Sequence, residues 1–139
     1  MIHLEHINLV VKNIEKALEF YTMAFPHWKI RGGSKGEWNG KPRNWIHFGD
    51  DYHYLAFGDN GVGENRDLKD HQVGLAHFAY VTTNIKELVS RLSLAGFEPS
   101  VALDIEENKA NVYYLDNDGF EIEFVQYFSD LPKLRNQYE

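Results

Sequence analysis

Two histidines, His6 and His77, open stretches of this chain that resemble each other. When His6–Phe25 is laid over His77–Gly96, the histidines coincide, and so do Val10 with Val81, Asn13 with Asn84, Ile14 with Ile85 and Ala24 with Ala95. Apolar character matches between the identities: Ile7 with Phe78, Leu9 with Tyr80, Leu18 with Val89, Met23 with Leu94. Internal similarity of this length implies two like units. If a pseudo-twofold axis relates them, the two imidazoles converge, and convergent histidines build metal sites. A lone histidine in a strand is more often a surface or hydrogen-bonded residue; two at one repeat position change that reading. Near the C-terminus, Glu121, Glu123 and Val125 alternate with Phe120, Ile122 and Phe124. The apolar set should pack on helices, which turns the carboxylates to the concave side, a costly place for acids without a cation. Two imidazoles and a carboxylate suit one divalent ion per site: Fe, Mn, Zn, Ni or Co.

Strands and helices must hold these groups. Ile2–Val11 reads as a strand, and Asn13 can cap a helix over Ile14–Phe25 whose apolar face is Ile14, Ala17, Leu18, Tyr21 and Phe25. Trp28–Arg31 reads as a short strand. Gly32–Arg43, rich in glycine, reads as a loop or wide hairpin turn. Asn44–Phe48 and Tyr52–Phe57 read as strands. The second unit repeats this order, with strand Gly74–Val81, helix Ile85–Ala95, strand Pro99–Asp104, and a hairpin of Asn111–Leu115 and Phe120–Tyr127 around Asn117-Asp118-Gly119. One domain over 1–139 is expected, with module one at about 1–60, a linker at about 58–72, module two at about 73–127 and a polar tail at 128–139 carrying a short helix around Leu131–Leu134.

Composition narrows the function classes. A net charge of −7 argues against nucleic acid and anionic membrane as partners. The absence of cysteine excludes disulfides, zinc–thiolate sites and a cysteine nucleophile, and agrees with a cytoplasmic location. The first residues lack the basic start and apolar core of a signal peptide. Aromatic content of 14% suits a sheet with a walled cavity. The glycines of 32–40 lack phosphate-loop spacing, and Asp116-x-Asp118-Gly119 fits a plain turn better than a calcium loop.

The opening Leu4-Glu5-His6-Ile7-Asn8-Leu9-Val10-Val11, the segment Gly74-Leu75-Ala76-His77-Phe78-Ala79 and the closing hairpin Leu115–Phe124 resemble the vicinal oxygen chelate superfamily, over roughly residues 2–127. That family includes glyoxalase I, fosfomycin-resistance proteins, extradiol dioxygenases and bleomycin-binding proteins. The resemblance implies an α+β fold of two βαβββ modules forming a half-open barrel around a cleft. It implies metal ligands His6, His77 and Glu123, the last standing four residues after the turn glycine Gly119. Glu121 is then a rim residue. Glyoxalase I has a fourth ligand on the last strand of its first module; aligning the closing strands sets Leu55 opposite Glu123, and leucine cannot ligate. Three ligands with open positions resemble fosfomycin-resistance transferases and extradiol dioxygenases more than glyoxalase I.

The resemblance also suggests which side chains line the cleft. If Leu55 faces it, so do His53 and Phe57. Trp45 would supply an aromatic wall, and His47, on the same strand face, is a candidate general base. Asn111 and Lys109 could meet an anionic substrate. The expected function is a metal-dependent, glyoxalase- or dioxygenase-like enzyme that chelates two oxygens of a small molecule and stabilises an oxyanion. The alternatives are a thiol or water transferase of the fosfomycin-resistance type and a metal-free drug-binding module. A homodimer is expected, because each module leaves edge strands exposed; the family pairs its modules within or between chains.

Overall fold

Asn13 and Asn84 each begin a helix. Asn13 Oδ1 accepts from the Lys16 amide at 2.9 Å and Asn84 Oδ1 from the Glu87 amide at 3.1 Å, caps of about 1 kcal/mol each. The repeat in sequence is thus a repeat in local structure. The computed structural model describes residues 1–138. The elements are β1 (His6–Val10), α1 (Ile14–Ala24), β2 (Lys29–Trp38), β3 (Lys41–Gly49), β4 (Tyr54–Gly58), β5 (Phe78–Val81), α2 (Ile85–Leu94), β6 (Val101–Ile105), β7 (Lys109–Leu115), β8 (Glu121–Tyr127) and α3 (Pro132–Arg135).

The chain divides into two compact units, residues 1–64 and residues from Asn65 onward. Each is a βαβββ module with one four-stranded sheet, in the order β1-β4-β3-β2 in the first and β5-β8-β7-β6 in the second. In both, the first strand runs parallel to the last and the other pairings are antiparallel.

Period-two alternation gives each sheet one face for its helix. In the first module Leu9, Val11, Phe48, Leu55 and Phe57 are buried with Ala17, Phe20, Tyr21 and Ala24 of α1, and the Tyr21 and Phe57 rings lie 5.1 Å apart. In the second, Phe78, Val112, Tyr114, Ile122 and Phe124 are buried with Ile85, Leu88 and Leu92 of α2. Each large apolar side chain so buried contributes about 1.5–3 kcal/mol, and in the strands that carry them, β1, β3, β4, β5, β7 and β8, they turn the alternate residues away from the helix.

The glycine-rich stretch 32–43 is not a loop. β2 and β3 run through it as a long hairpin, turning at Asn39 and Gly40, whose φ angles are +48° and +83°. Two consecutive positive φ values are what a two-residue hairpin turn requires, and Asn-Gly is the pair that adopts them most readily. Every residue of β2 is exposed, which is why hydrophobic periodicity gave no sign of a strand.

Candidate metal and substrate site

In the first module the face turned away from α1 is organised by three rows. β1 pairs with β4 as His6↔Tyr54, Asn8↔Ala56 and Val10↔Gly58, and β3 continues the rows with Gly49↔Tyr54, His47↔Ala56 and Trp45↔Gly58. Tyr54 is the centre of an aromatic cluster: the His6 ring stacks on it at 4.6 Å and 9°, and the His47 ring at 4.3 Å and 23°. The Arg31 guanidinium lies 4.6 Å from the Tyr54 centroid. His6 Nδ1 donates to Glu5 at 2.8 Å. That bond foremost, together with one from the Tyr54 hydroxyl, holds the Glu5 carboxyl below its ordinary range. The pairing fixes the His6 tautomer and leaves Nε2 as the nitrogen available to a metal. Burial, and then the nearby charges of Arg31 and His6, lower the His47 pKa against the opposing influence of Glu5, so its neutral, proton-accepting form is favoured. Trp45 lies 5.1 Å from His47. A hollow of about 190 Å³ opens among Asn8, Arg43, Trp45, His47 and Ala56.

In the second module the equivalent face carries Ala79, Glu123 and Tyr113 in one row. His77 stands just before β5. Its Nε2 lies 3.5 Å from Glu123 Oε1, and the Glu123 side chain is only 14% exposed. The other carboxylate oxygen accepts from Asn111 Nδ2 at 3.0 Å. Tyr113 also bonds Glu123 and sets its ring edge-on to His77 at 5.4 Å; burial, and then the Glu123 charge, raise its hydroxyl pKa. Glu123 is thus braced from two sides and presents its free oxygen to an imidazole nitrogen. Donors bound to one ion at about 2.0–2.2 Å stand at a separation of this order, and a carboxylate held by outer partners is the usual support for such a ligand. A hollow of about 280 Å³ adjoins the carboxylate, lined by Lys109, Asn111, Val125 and Tyr127 among others. Glu121 accepts from Ser100 Oγ at 3.1 Å, out in solvent.

Several expected positions differ. Leu55 and Phe57 are 0% exposed on the face toward α1, and Phe57 also borders the hollow of about 190 Å³. Asn8 and Ala79 each follow the matched histidines by two residues, and they pair with Ala56 and Glu123 respectively. The counterpart of Glu123 is therefore Ala56, not Leu55; alanine cannot ligate either, so the fourth ligand is still missing. His53 lies in the turn before β4, where its amide donates to Asp50 Oδ1 at 2.7 Å and its ring meets His3 at 6.0 Å; it is not on the strand face of His6. The Asn111 amide is committed to Glu123. Trp45 and His47 do share the face of His6. Sequence reading missed Glu5, Arg31, Tyr54 and Tyr113. Tyr113 could have been found from alternation in β7, since it stands opposite Glu123 across the hairpin. Among the described residues, no group of three or more His, Cys, Asp or Glu could hold a metal ion, and no helix is long and apolar enough to cross a membrane.

Comparison with known proteins adds a family. Residues 3–124 match the model of the Glyoxalase/Bleomycin resistance protein/Dioxygenase superfamily. No curated protein sequence matches. Among solved structures, the glyoxylase/bleomycin resistance protein/dioxygenase domain from Frankia sp. EAN1pec is similar at TM-score 0.75 and 16% identity, over 99% of each chain. A mutant of the genomically encoded fosfomycin resistance protein from Listeria monocytogenes, complexed with Mn(II) and 1S,2S-dihydroxypropylphosphonic acid, is similar at TM-score 0.67 and 18% identity, over 96% of this chain and 98% of that one. The lactoylglutathione lyase from Agrobacterium tumefaciens gives TM-score 0.59 and 17% identity, over 89% and 92%. Likenesses at such identities speak for the fold.

Proposed function

Because the chain belongs to the glyoxalase/bleomycin resistance protein/dioxygenase superfamily, we propose that it is a metal-dependent enzyme acting on a small oxygenated molecule. The observation that carries this reading is the His77–Glu123 pair, with Asn111 and Tyr113 bracing the carboxylate. A glutamate this little exposed, facing an imidazole nitrogen, suits a shared divalent ion better than an isolated acid. His6, its ring oriented by Glu5, is the third ligand, from the same chain or from a second copy in a homodimer. Mn(II) is the first ion to try, since the Listeria neighbour is complexed with it; Fe, Zn, Ni and Co share the same ligand preferences. When bound, the ion supplies Lewis acidity toward two neighbouring substrate oxygens.

The chain's own groups supply the rest. His47 is the candidate base and Trp45 the aromatic wall of the first hollow. Ala56 in place of a fourth ligand favours dioxygenase or fosfomycin-type chemistry over glyoxalase I chemistry. A metal-free drug-binding module is the second reading, favoured by the Trp45, His47 and Tyr54 rings, which would serve a binder equally well.

The test is turnover by protein stripped with chelator and reloaded with Mn(II) or Fe(II). It would be offered an α-ketoaldehyde with a thiol, an epoxide with thiol or water, and a catechol with dioxygen. Metal-dependent consumption of one class is expected. A metal-loaded protein inert toward all three would favour the binding module.

A further inference from the structure

Arg43 shares the face of Trp45 and His47 in β3, yet no carboxylate answers it. It is half-buried, and among the described residues it forms no ion pair. Among the described residues no acid lines the hollow that Arg43 shares with Trp45 and His47; Asp59, which borders a second hollow with Arg43, accepts on both oxygens from Asn44, at 2.7 Å from the Asn44 amide and 2.8 Å from its side chain. The Arg43 guanidinium instead rests 5.0 Å from the Trp38 ring centroid. It lies down over Gly58: a Cβ there would stand 2.8 Å from Arg43 Nη1. Glycine at 58 therefore makes the room that lets the guanidinium reach the open face. Arg43 also borders two hollows, the one of about 190 Å³ with Trp45 and His47 and another of about 420 Å³ with Lys35.

A partly desolvated guanidinium without a counter-charge is costly, and a stacking contact of about 0.5–2 kcal/mol offsets only part of that. In a chain of net charge −7, such a cation is not needed for solubility. Its fork of donors matches a carboxylate in two-point contact. The neighbouring Trp45 ring offers a planar surface in the same hollow, with the His47 ring tilted 47° to it. Arg43 stands two residues beyond Trp45 of the Val10–Gly58 row, but its guanidinium reaches back over Gly58; that row lies four residues along the strands from the row of His6 and Tyr54, roughly 13 Å.

We propose that Arg43 is the anion-recognising residue of this site, and that its ligand is a planar, ring-bearing carboxylate. The carboxylate meets Arg43 and the ring lies along Trp45. The opposite end of the ligand reaches toward His6. This rests on the first hollow being the substrate site, as proposed above, and it opposes a cationic ligand of the kind an acidic chain would otherwise suggest.

The test uses metal-free, chelator-treated full-length protein, so that its result is independent of whether the metal reading holds. The probes are 2-naphthoate and its neutral partner 2-naphthamide, measured by calorimetry. Naphthoate should bind at least about tenfold tighter, which is about 1.4 kcal/mol. Arg43→Gln should abolish that preference while changing naphthamide affinity less than about twofold, and Arg43→Lys should retain part of it because the charge remains without the fork. Equal affinities in the unaltered protein, no measurable naphthoate binding, or a preference that survives Arg43→Gln would overturn the proposal. So would its loss on Arg31→Gln with Arg43 intact. If Arg43→Gln does not fold, a naphthoate preference undiminished in Arg43→Lys overturns it equally. Mn(II) binding, measured separately, decides the metal reading whichever way the naphthoate result falls.

Discussion

The pairing of β4 sets a sharp contrast between two adjacent residues. Leu55 is 0% exposed against α1, while Ala56 stands on the opposite face beside the hollow formed with Asn8 and His47. Leu55→Glu removes a buried leucine, a loss of about 2–5 kcal/mol judged from leucine truncations. It also places a carboxylate in the apolar core, which costs several kcal/mol more even after relaxation. The total approaches the whole stability of an ordinary domain, about 5–15 kcal/mol. Ala56→Glu adds volume at a tight position but can extend its carboxylate into the hollow, for about 1–3 kcal/mol of overpacking. Urea unfolding followed by tryptophan fluorescence and circular dichroism separates the two. Ala56→Glu should fold with a lowered midpoint, and Leu55→Glu should be unfolded or nearly so without denaturant. The milder pair makes the same point if both fail: Leu55→Ala should lose about 2–5 kcal/mol and Ala56→Ser under about 1 kcal/mol. If the alterations at 56 prove as damaging as those at 55, the assignment of faces in the first sheet is wrong, and with it the conclusion that Ala56 is the counterpart of Glu123.

Further outcomes follow from the same geometry. Gly40→Val forces a branched side chain into a φ of +83° and should cost about 1–2 kcal/mol, read as a drop in Tm of about 2–4 °C per kcal/mol. Asn111→Leu removes the donor to Glu123 Oε2; it should leave the circular dichroism spectrum unchanged and weaken Mn(II) binding about 10–100-fold. The Asp50 carboxylate is held below its ordinary value of 3.8 chiefly by the amides of His53 and Tyr52. A depressed folded pKa gives stability that is present above 3.8 and is lost as pH falls through the lower folded value. Asp50→Asn should accordingly flatten the stability profile in that acid range, and an unchanged slope would discount the turn's contribution.

The parts of the molecule written in local pattern were legible in the sequence. The two asparagine caps and the apolar alternation of Ile122 and Phe124 each depend on neighbours close in the chain, and the structure has them where the pattern implies. What failed depends on register between strands. The turn from β3 to β4 spans residues 50–53 and that from β7 to β8 spans 116–120, so the halves cannot be aligned through their turns without slipping. A slip of one residue exchanges the faces of a strand, and that is the difference between Leu55 and Ala56 as the counterpart of Glu123. Of the two readings open for 32–43, a loop or a wide hairpin turn, the structure has a hairpin, with a tight turn at Asn39-Gly40. Its extent is hidden in the sequence for a different reason: β2 buries nothing, so no hydrophobic pattern marks it. The bracing of Glu123 by Tyr113 and Asn111 is a cross-strand fact that no single stretch contains.

We propose that His6, His77 and Glu123, from one chain or from two copies of it, hold one divalent ion. An equilibrium titration of Mn(II) into chelator-stripped, untagged protein, followed by electron paramagnetic resonance, tests it most directly when repeated on His6→Ala, His77→Ala and Glu123→Gln. The expected result is one ion per chain in the unaltered protein and, in each variant, a weakening beyond the roughly 10–100-fold seen when only a supporting group is lost. Binding that survives in any one of the three with its affinity unchanged, or no stoichiometric binding at all, would contradict the claim.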